Sequence, residues 1–172
     1  MRHPLLVAIP VMVFLLLLGT PFLGLNLGAP WASVLPTDSE PRLGWEKLER
    51  EFGAGEVSPI VGVAQAQGDF LHPEVIGALY DWSRKVLEDP RVSRMESIVT
   101  LDPTIGKEQY QQMYNVPDQI SIPVAKEVLD ELVSGDVGVL RVFPKTGLFA
   151  PETKALVEDL KNWPIAPNVE LF

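Results

Sequence analysis

The chain has 172 residues and a formal net charge of −9, from 23 acidic and 14 basic side chains. It contains no cysteine, which excludes disulfide bonds, thiolate metal sites and a thiol nucleophile. An acidic chain of this kind is a poor ligand for nucleic acid or anionic lipid, so no nucleic-acid partner is expected.

A long uncharged run opens the chain. No charged side chain lies between Arg2 and Asp38 if His3 is neutral, and the stretch from Leu5 to Leu27 is almost entirely apolar. A hydrocarbon core about 30 Å thick needs about 20 apolar residues in a helix, and a helix satisfies its own backbone groups within lipid. The run therefore predicts one transmembrane helix, which with its short N-terminal flank occupies residues 1–28.

A cleaved signal peptide is the competing interpretation of this run. Signal peptides usually have an apolar part of about 7–15 residues, which is shorter than the run here, and no small-x-small cleavage site follows it cleanly. Because Arg2 precedes the run, the positive-inside rule predicts a cytoplasmic N-terminus. We therefore expect a plasma-membrane protein whose bulk, from about residue 30 onward, is extracytoplasmic.

Residues 29–57 are predicted to be a connector with one short helix. Its first part is polar and contains prolines, and Arg42 to Phe52 then reads as a helix that Asp38 or Ser39 could cap. Gly53 follows at the position where many helices end. The charged side chains of this helix are interpreted as a solvated face rather than as an acid–base pair.

Strands and helices alternate in the remainder of the chain, residues 58–172. Apolar runs, three- and four-residue spacings and flanking turn residues predict these elements. In chain order they are a strand Ser58–Gln67, a helix Pro73–Leu87, a strand Val92–Leu101, a helical turn Glu108–Tyr114, a helix Val124–Val133, a strand Asp136–Phe143, a helix Pro151–Trp163 and a strand Val169–Phe172.

Two strand–helix–strand units in series predict an α+β fold of the ferredoxin-like type, with helices on one face of a mostly antiparallel sheet. The predicted fold class for the whole chain is thus one N-terminal transmembrane helix followed by a ferredoxin-like domain. The order in which the strands pair does not follow from the periodicity.

Catalytic chemistry finds little support in the sequence. The two histidines, His3 and His72, lie on opposite sides of the predicted membrane helix, so a shared metal site is not expected. No serine lies in a Gly-x-Ser-x-Gly context, and Gly53-Ala54-Gly55 is too short for a phosphate loop. We therefore predict no enzyme activity, no catalytic residue, no metal and no cofactor.

Aromatic and methionine side chains are the remaining candidates for a site. Trp82 lies on the apolar face of its helix and is interpreted as a core residue, whereas Trp31 suits an interfacial anchor. The subset that lies at the edges of elements is the candidate surface for a hydrophobic substrate. It consists of Phe70, Met113, Tyr114 and Phe149.

The order of short motifs resembles part of the MMPL family of transporters, in the resistance–nodulation–division superfamily. The matching part there is the seventh membrane helix and the extracytoplasmic porter domain that follows it. The residues that carry the resemblance here are Arg2 to Pro4, Leu25 to Gly28, Val34 to Ser39, Gly44, Leu48, Glu51 to Gly53, Ser58 to Ile60, Leu87 to Ile98 and Ala150 to Asn162.

This resemblance implies that the chain is a piece of a proton-driven exporter of lipids or other hydrophobic molecules. The implied partners are the lipid bilayer, the remaining helices and domain of the parent transporter, and a hydrophobic or lipid substrate. The family's intramembrane Asp–Tyr proton-relay helices have no counterpart here, so the piece alone is not expected to transport. The alternative is a single-pass, membrane-anchored binding or interaction domain, and a membrane-anchored enzyme is the weakest of the three hypotheses.

Overall fold

A computed structural model describes residues 4–20, 32–116 and 123–172 of the chain. Helices and strands alternate along most of it. In chain order they are α1 (Pro4–Gly19), a 3-10 turn (Ala32–Val34), α2 (Glu40–Phe52), β1 (Ile60–Ala66), α3 (Pro73–Leu87), β2 (Val92–Glu96), α4 (Lys107–Asn115), α5 (Pro123–Leu132), β3 (Val133–Ser134), β4 (Val137–Pro144), α6 (Pro151–Asn162) and β5 (Val169–Leu171).

The predicted fold class is wrong in its first part, the transmembrane helix. Helix α1 has 16 residues, which span about 24 Å at 1.5 Å per residue, less than the roughly 30 Å of a hydrocarbon core. Within residues 4–20, 32–116 and 123–172, no helix combines the length and the apolar character that crossing a membrane requires. The described residues form an α+β domain built on an antiparallel sheet, as the α+β part of the prediction expects.

Thr20 directly follows α1 and bonds back onto its last turn. Its hydroxyl donates to the carbonyl oxygens of Leu17, at 2.7 Å, and Leu16, at 3.2 Å. The next residue in the sequence is Pro21, which has no N–H to donate. The outer part of the predicted span, residues 21–27, lies outside the described residues.

The sheet has five antiparallel strands in the order β2–β4–β1–β5, with β3 paired to β4 beyond the end of β2. Strand β1 pairs with β4 from Ile60↔Val142 to Gln65↔Val137 and with β5 from Ala64↔Leu171 to Ala66↔Val169. The strands β1 and β2, which flank α3, are therefore separated by β4, and the strands β4 and β5, which flank α6, are separated by β1.

Helices α3 and α6 lie on the same face of this sheet. Trp82 of α3 and Leu160 of α6 surround one apolar space together with Leu140 and Val142 of β4. Trp82 is 5% exposed, and its indole Nε1 donates to the backbone oxygen of Trp163 at 2.9 Å. The predicted core position of Trp82 is confirmed, and this hydrogen bond joins α3 to the end of α6.

Several element boundaries differ from those predicted. Strand β2 ends at Glu96 rather than Leu101, because the Thr100 side chain accepts from the Ser97 N–H and donates to the Met95 carbonyl. The short strand β3 was not predicted. It follows α5 directly, and Gly135, at φ +62°, turns the chain into β4.

Candidate functional site

An apolar cleft opens between α3, α6 and the strands β1, β4 and β5. Its volume is about 100 Å³, smaller than the roughly 150 Å³ of an engineered apolar cavity that admits benzene. The cleft can therefore hold a short length of acyl chain or one apolar side chain, not a whole lipid. The residues that line it are Ile60, Val61, Gly62, Trp82, Leu140, Val142, Val157, Leu160, Lys161, Leu171 and Phe172.

The backbone of β1 leaves room for this cleft. Gly62 has no side chain, and a Cβ at that position would lie 3.3 Å from Cδ1 of Leu171, tighter than an ordinary contact. Val61 and Phe172 adjoin the cleft, but the exposed side chain of Val61, which pairs with Arg141, lies on the other face of the sheet. An apolar cleft that opens at the protein surface is typical of a site that binds a hydrophobic ligand.

The cleft provides little hydrogen-bonding capacity. Among the described residues that line it, Lys161 is the one charged side chain, and its Nζ lies 3.9 Å from Glu158 Oε1 at the rim. The one indole N–H of Trp82 is already bound to Trp163. A ligand here is therefore held by burial of apolar surface, with one cation available for a polar or anionic head group.

The four predicted substrate-contact residues lie elsewhere. Phe70 is buried beneath β4, where its ring occupies the space that a side chain at Gly138 would need. Tyr114 is buried, and its hydroxyl donates to the Ile98 carbonyl at 2.6 Å. Met113 is partly buried against the core. Phe149 is 43% exposed in the loop before α6.

None of these four side chains is among the described residues that line the apolar cleft. Their contact with a substrate stays a prediction. We did not predict the cleft residues as a binding site, because apolar residues with their spacing are normally core residues. Their neighbours do lie in the core. A glycine inside a strand, here Gly62, is the one sequence signal that could have indicated a close approach or an opening at this place.

Ion pairs cross the face of the sheet opposite to α3 and α6. Arg94 contacts Glu56 at 2.8 Å and also Glu96, whereas Arg141 contacts Glu131 at 2.8 Å and Glu96 at 3.5 Å. These pairs raise the pKa values of both arginines, although burial opposes the shift. This row of ion pairs connects four parts of the fold: β2, β4, α5 and the loop that precedes β1. We interpret the row as structural.

We find no candidate metal site in the part of the chain that the structure describes. Within it, no group of three or more histidine, aspartate or glutamate side chains is arranged to hold a metal ion. His72 instead caps α3, since its Nδ1 accepts from the Glu74 N–H at 3.4 Å.

Comparison of the sequence with known protein families and with curated proteins found no match.

Proposed function

We propose that the α+β part of this chain is a porter-type domain of an MMPL-like, proton-driven exporter of lipids or other hydrophobic molecules. In this proposal the domain lies on the extracytoplasmic side of the plasma membrane, and the remaining helices and the other domain of the parent transporter supply the energy coupling. The role of this domain is to contact the apolar part of the cargo as it passes.

The apolar cleft is the observation that carries the proposal. A hydrophobic cargo outside the bilayer needs an apolar surface that excludes water, and the cleft between α3, α6 and β1 provides one at the protein surface. Covering apolar area contributes about 25 cal/mol per Å². A site this small therefore favours transient contact with part of an acyl chain over storage of a whole lipid.

A binding or interaction domain, without transport, is the second candidate. It is supported by α2, where Leu48 and Phe52, one turn apart on one side of the helix, are exposed and no described residue of the helix is buried. An exposed apolar patch on a protein surface often marks a site of contact with another molecule. The two candidates differ in whether an acyl chain enters the cleft.

Photolabelling of the full chain tests the proposal. A fatty acid that carries a diazirine in its acyl chain would be irradiated with the detergent-solubilised protein, and the labelled peptides would be identified by mass spectrometry. We expect labelling around the cleft, on the peptides that contain Gly62 and Leu171. The substitution Val157→Trp should fill the cleft and reduce this labelling.

The matched control is Ala155→Trp, which adds the same ring on the same helix at an exposed position outside the cleft. It should leave the labelling unchanged. Labelling confined to the apolar run at the N-terminus, or labelling that Val157→Trp and Ala155→Trp alter equally, would contradict a role of the cleft in binding the cargo.

A further inference from the structure

A second groove lies on the other side of the domain, along the outer edge of β2. Strand β2 ends the sheet order, so one of its edges has no neighbouring strand. A cavity of about 200 Å³ follows this edge, between Ser93 to Met95 on one side and Tyr80, Arg84 and Leu87 of α3 on the other. The segment from Val99 to Ile105 closes its end.

The register shows which backbone groups of β2 face this groove. Val63 of β1 exchanges both backbone hydrogen bonds with Phe172 of the neighbouring chain end. The N–H and C=O groups of the adjacent residues Gly62 and Ala64 therefore face β4. Along β4, the backbone groups of successive residues point alternately to β1 and to β2. Those that point to β2 belong to the residues that pair with Arg94 and Glu96. The N–H and C=O of Met95 therefore point away from the sheet, into the groove.

Thr100 already occupies part of this edge. Its hydroxyl donates to the Met95 carbonyl at 3.1 Å and accepts from the Ser97 N–H at 2.8 Å, as a neighbouring strand would. No described residue bonds to the Met95 N–H on the groove side. One end of the edge is thus capped, whereas the Met95 N–H, just past the irregularity between Val92 and Arg94, is open to another strand.

The charges at this groove favour an acidic ligand. Arg84 is exposed at the rim and has no ion pair or side-chain hydrogen bond among the described residues. Arg94 is held by Glu56 and Glu96 on the opposite face of the sheet, and Asp102 is held by the N–H and hydroxyl of Thr104. Among the described residues that line the groove, Arg84 is therefore the cation that is open to an acidic side chain.

We propose that the groove between the β2 edge and α3 binds an extended, acidic peptide segment of a protein partner by adding it as a strand to β2. Backbone hydrogen bonds to the open edge hold such a segment, and side chains at alternate positions give specificity. The side chains on the helix side lie between the apolar groups Leu87 and Ile105, and an acidic one among them contacts Arg84. This binding is independent of the cargo cleft.

A designed peptide pair tests the proposal on the detergent-solubilised full chain. The probe is a fluorescein-labelled hexapeptide, Val-Thr-Glu-Thr-Val-Thr, and its matched control has lysine in place of glutamate. We expect saturable binding of the glutamate peptide by fluorescence anisotropy, with the lysine peptide about fivefold weaker, as for an exposed ion pair. The substitution Arg84→Glu should reverse the order of the two peptides.

Two controls separate this mode from general attraction. Lys126→Glu removes an exposed cation of α5 that is not part of the groove, and it should leave the peptide preference unchanged. N-methylation of alternate peptide residues should abolish binding on one parity and spare it on the other, because only alternate N–H groups face β2. Binding that ignores Arg84→Glu or N-methylation would overturn the proposal, as would dimerisation through β2 detected by sedimentation, since the occupant would then be a second copy.

Discussion

Asp89 carries the carboxylate that the fold holds most closely in the described part of the chain. Its side chain is 8% exposed and accepts from the Arg91 guanidinium at 2.9 and 2.7 Å and from the Arg91 N–H at 2.9 Å. Arg91 also contacts Asp159 of α6 at 2.6 Å. These hydrogen bonds lower the pKa of Asp89, although burial opposes the shift.

The substitution Asp89→Asn should therefore destabilise the domain in a pH-dependent way. The lowered pKa means that ionised Asp89 stabilises the fold above the unfolded-state pKa near 4, and that this contribution is lost as the pH falls through the folded-state pKa. We expect the free energy of unfolding to drop by about 1–3 kcal/mol at pH 7, and the difference from the unmodified protein to shrink below pH 4. Urea unfolding at several pH values measures this.

The control for Asp89 is Asp130→Asn, at an exposed position of α5. It should change the free energy of unfolding by less than about 0.5 kcal/mol at both pH 7 and pH 3. A difference for Asp89→Asn that is the same at pH 7 and at pH 3 would mean that shape, not charge, sets its contribution.

At the scale of elements, the contact of α3 with the sheet buries the largest side chain of that helix. Trp82 is buried against β4, and its N–H bond to Trp163 also anchors the end of α6. Truncating a buried tryptophan to alanine typically costs about 3–5 kcal/mol, much of a total stability of roughly 5–15 kcal/mol. Trp82→Ala should lower the melting temperature sharply in a thermal unfolding experiment.

The matched control on α3 is Arg84→Ala, because that side chain is exposed and has no partner among the described residues. Lys85 is unsuitable, since the structure places its Nζ 4.2 Å from the ring centre of Trp163 rather than free in solvent. If Trp82→Ala and Arg84→Ala shift the melting temperature equally, the assignment of the buried face of α3 is wrong.

The packing of the Phe70 ring against Gly138 of β4 is a second contact that joins different parts of the fold. A Cβ at Gly138 would lie 2.2 Å from the Phe70 ring, so Gly138→Ala forces the ring to move. We expect this substitution to lower the free energy of unfolding by about 1–3 kcal/mol in urea unfolding. In the double variant with Phe70→Ala the two effects should be strongly non-additive, because the ring that clashes is absent. Additive effects would mean that the two residues do not touch.

At the scale of the molecule, the described residues 9–20 and helix α2 bury little surface against the packed domain. The side chains of residues 9–20 are exposed, and no residue of α2 is buried. A chain that begins at Ala32 should therefore unfold at the same temperature, within about 1–2 °C, as the full chain. A fall of 4–8 °C would indicate about 1 kcal/mol of stabilisation by the missing segment. Differential scanning calorimetry of both chains distinguishes these outcomes.

Local pattern determined the elements whose signal is complete within a short segment. Helix α3 begins at Pro73 and ends at Leu87 as predicted, and α6 and β4 begin or end within one residue of their predicted bounds. Their apolar spacing, first-turn prolines and flanking turns all act within one or two turns of chain. Hydrophobic length alone was a poor guide to α1, because the helix that the structure describes has 16 residues, fewer than the apolar run predicts.

Only the tertiary structure decided which residues meet. Periodicity carries no information on strand order, so the placement of β4 between β1 and β2 emerges from packing. Phe70 and Tyr114 lie at the edges of elements in the sequence but are buried by residues distant from them in the chain. Both grooves arise in the same way, since each lies between elements that only the fold brings together, and a groove depends on the shape of several surfaces rather than on the identity of any one residue.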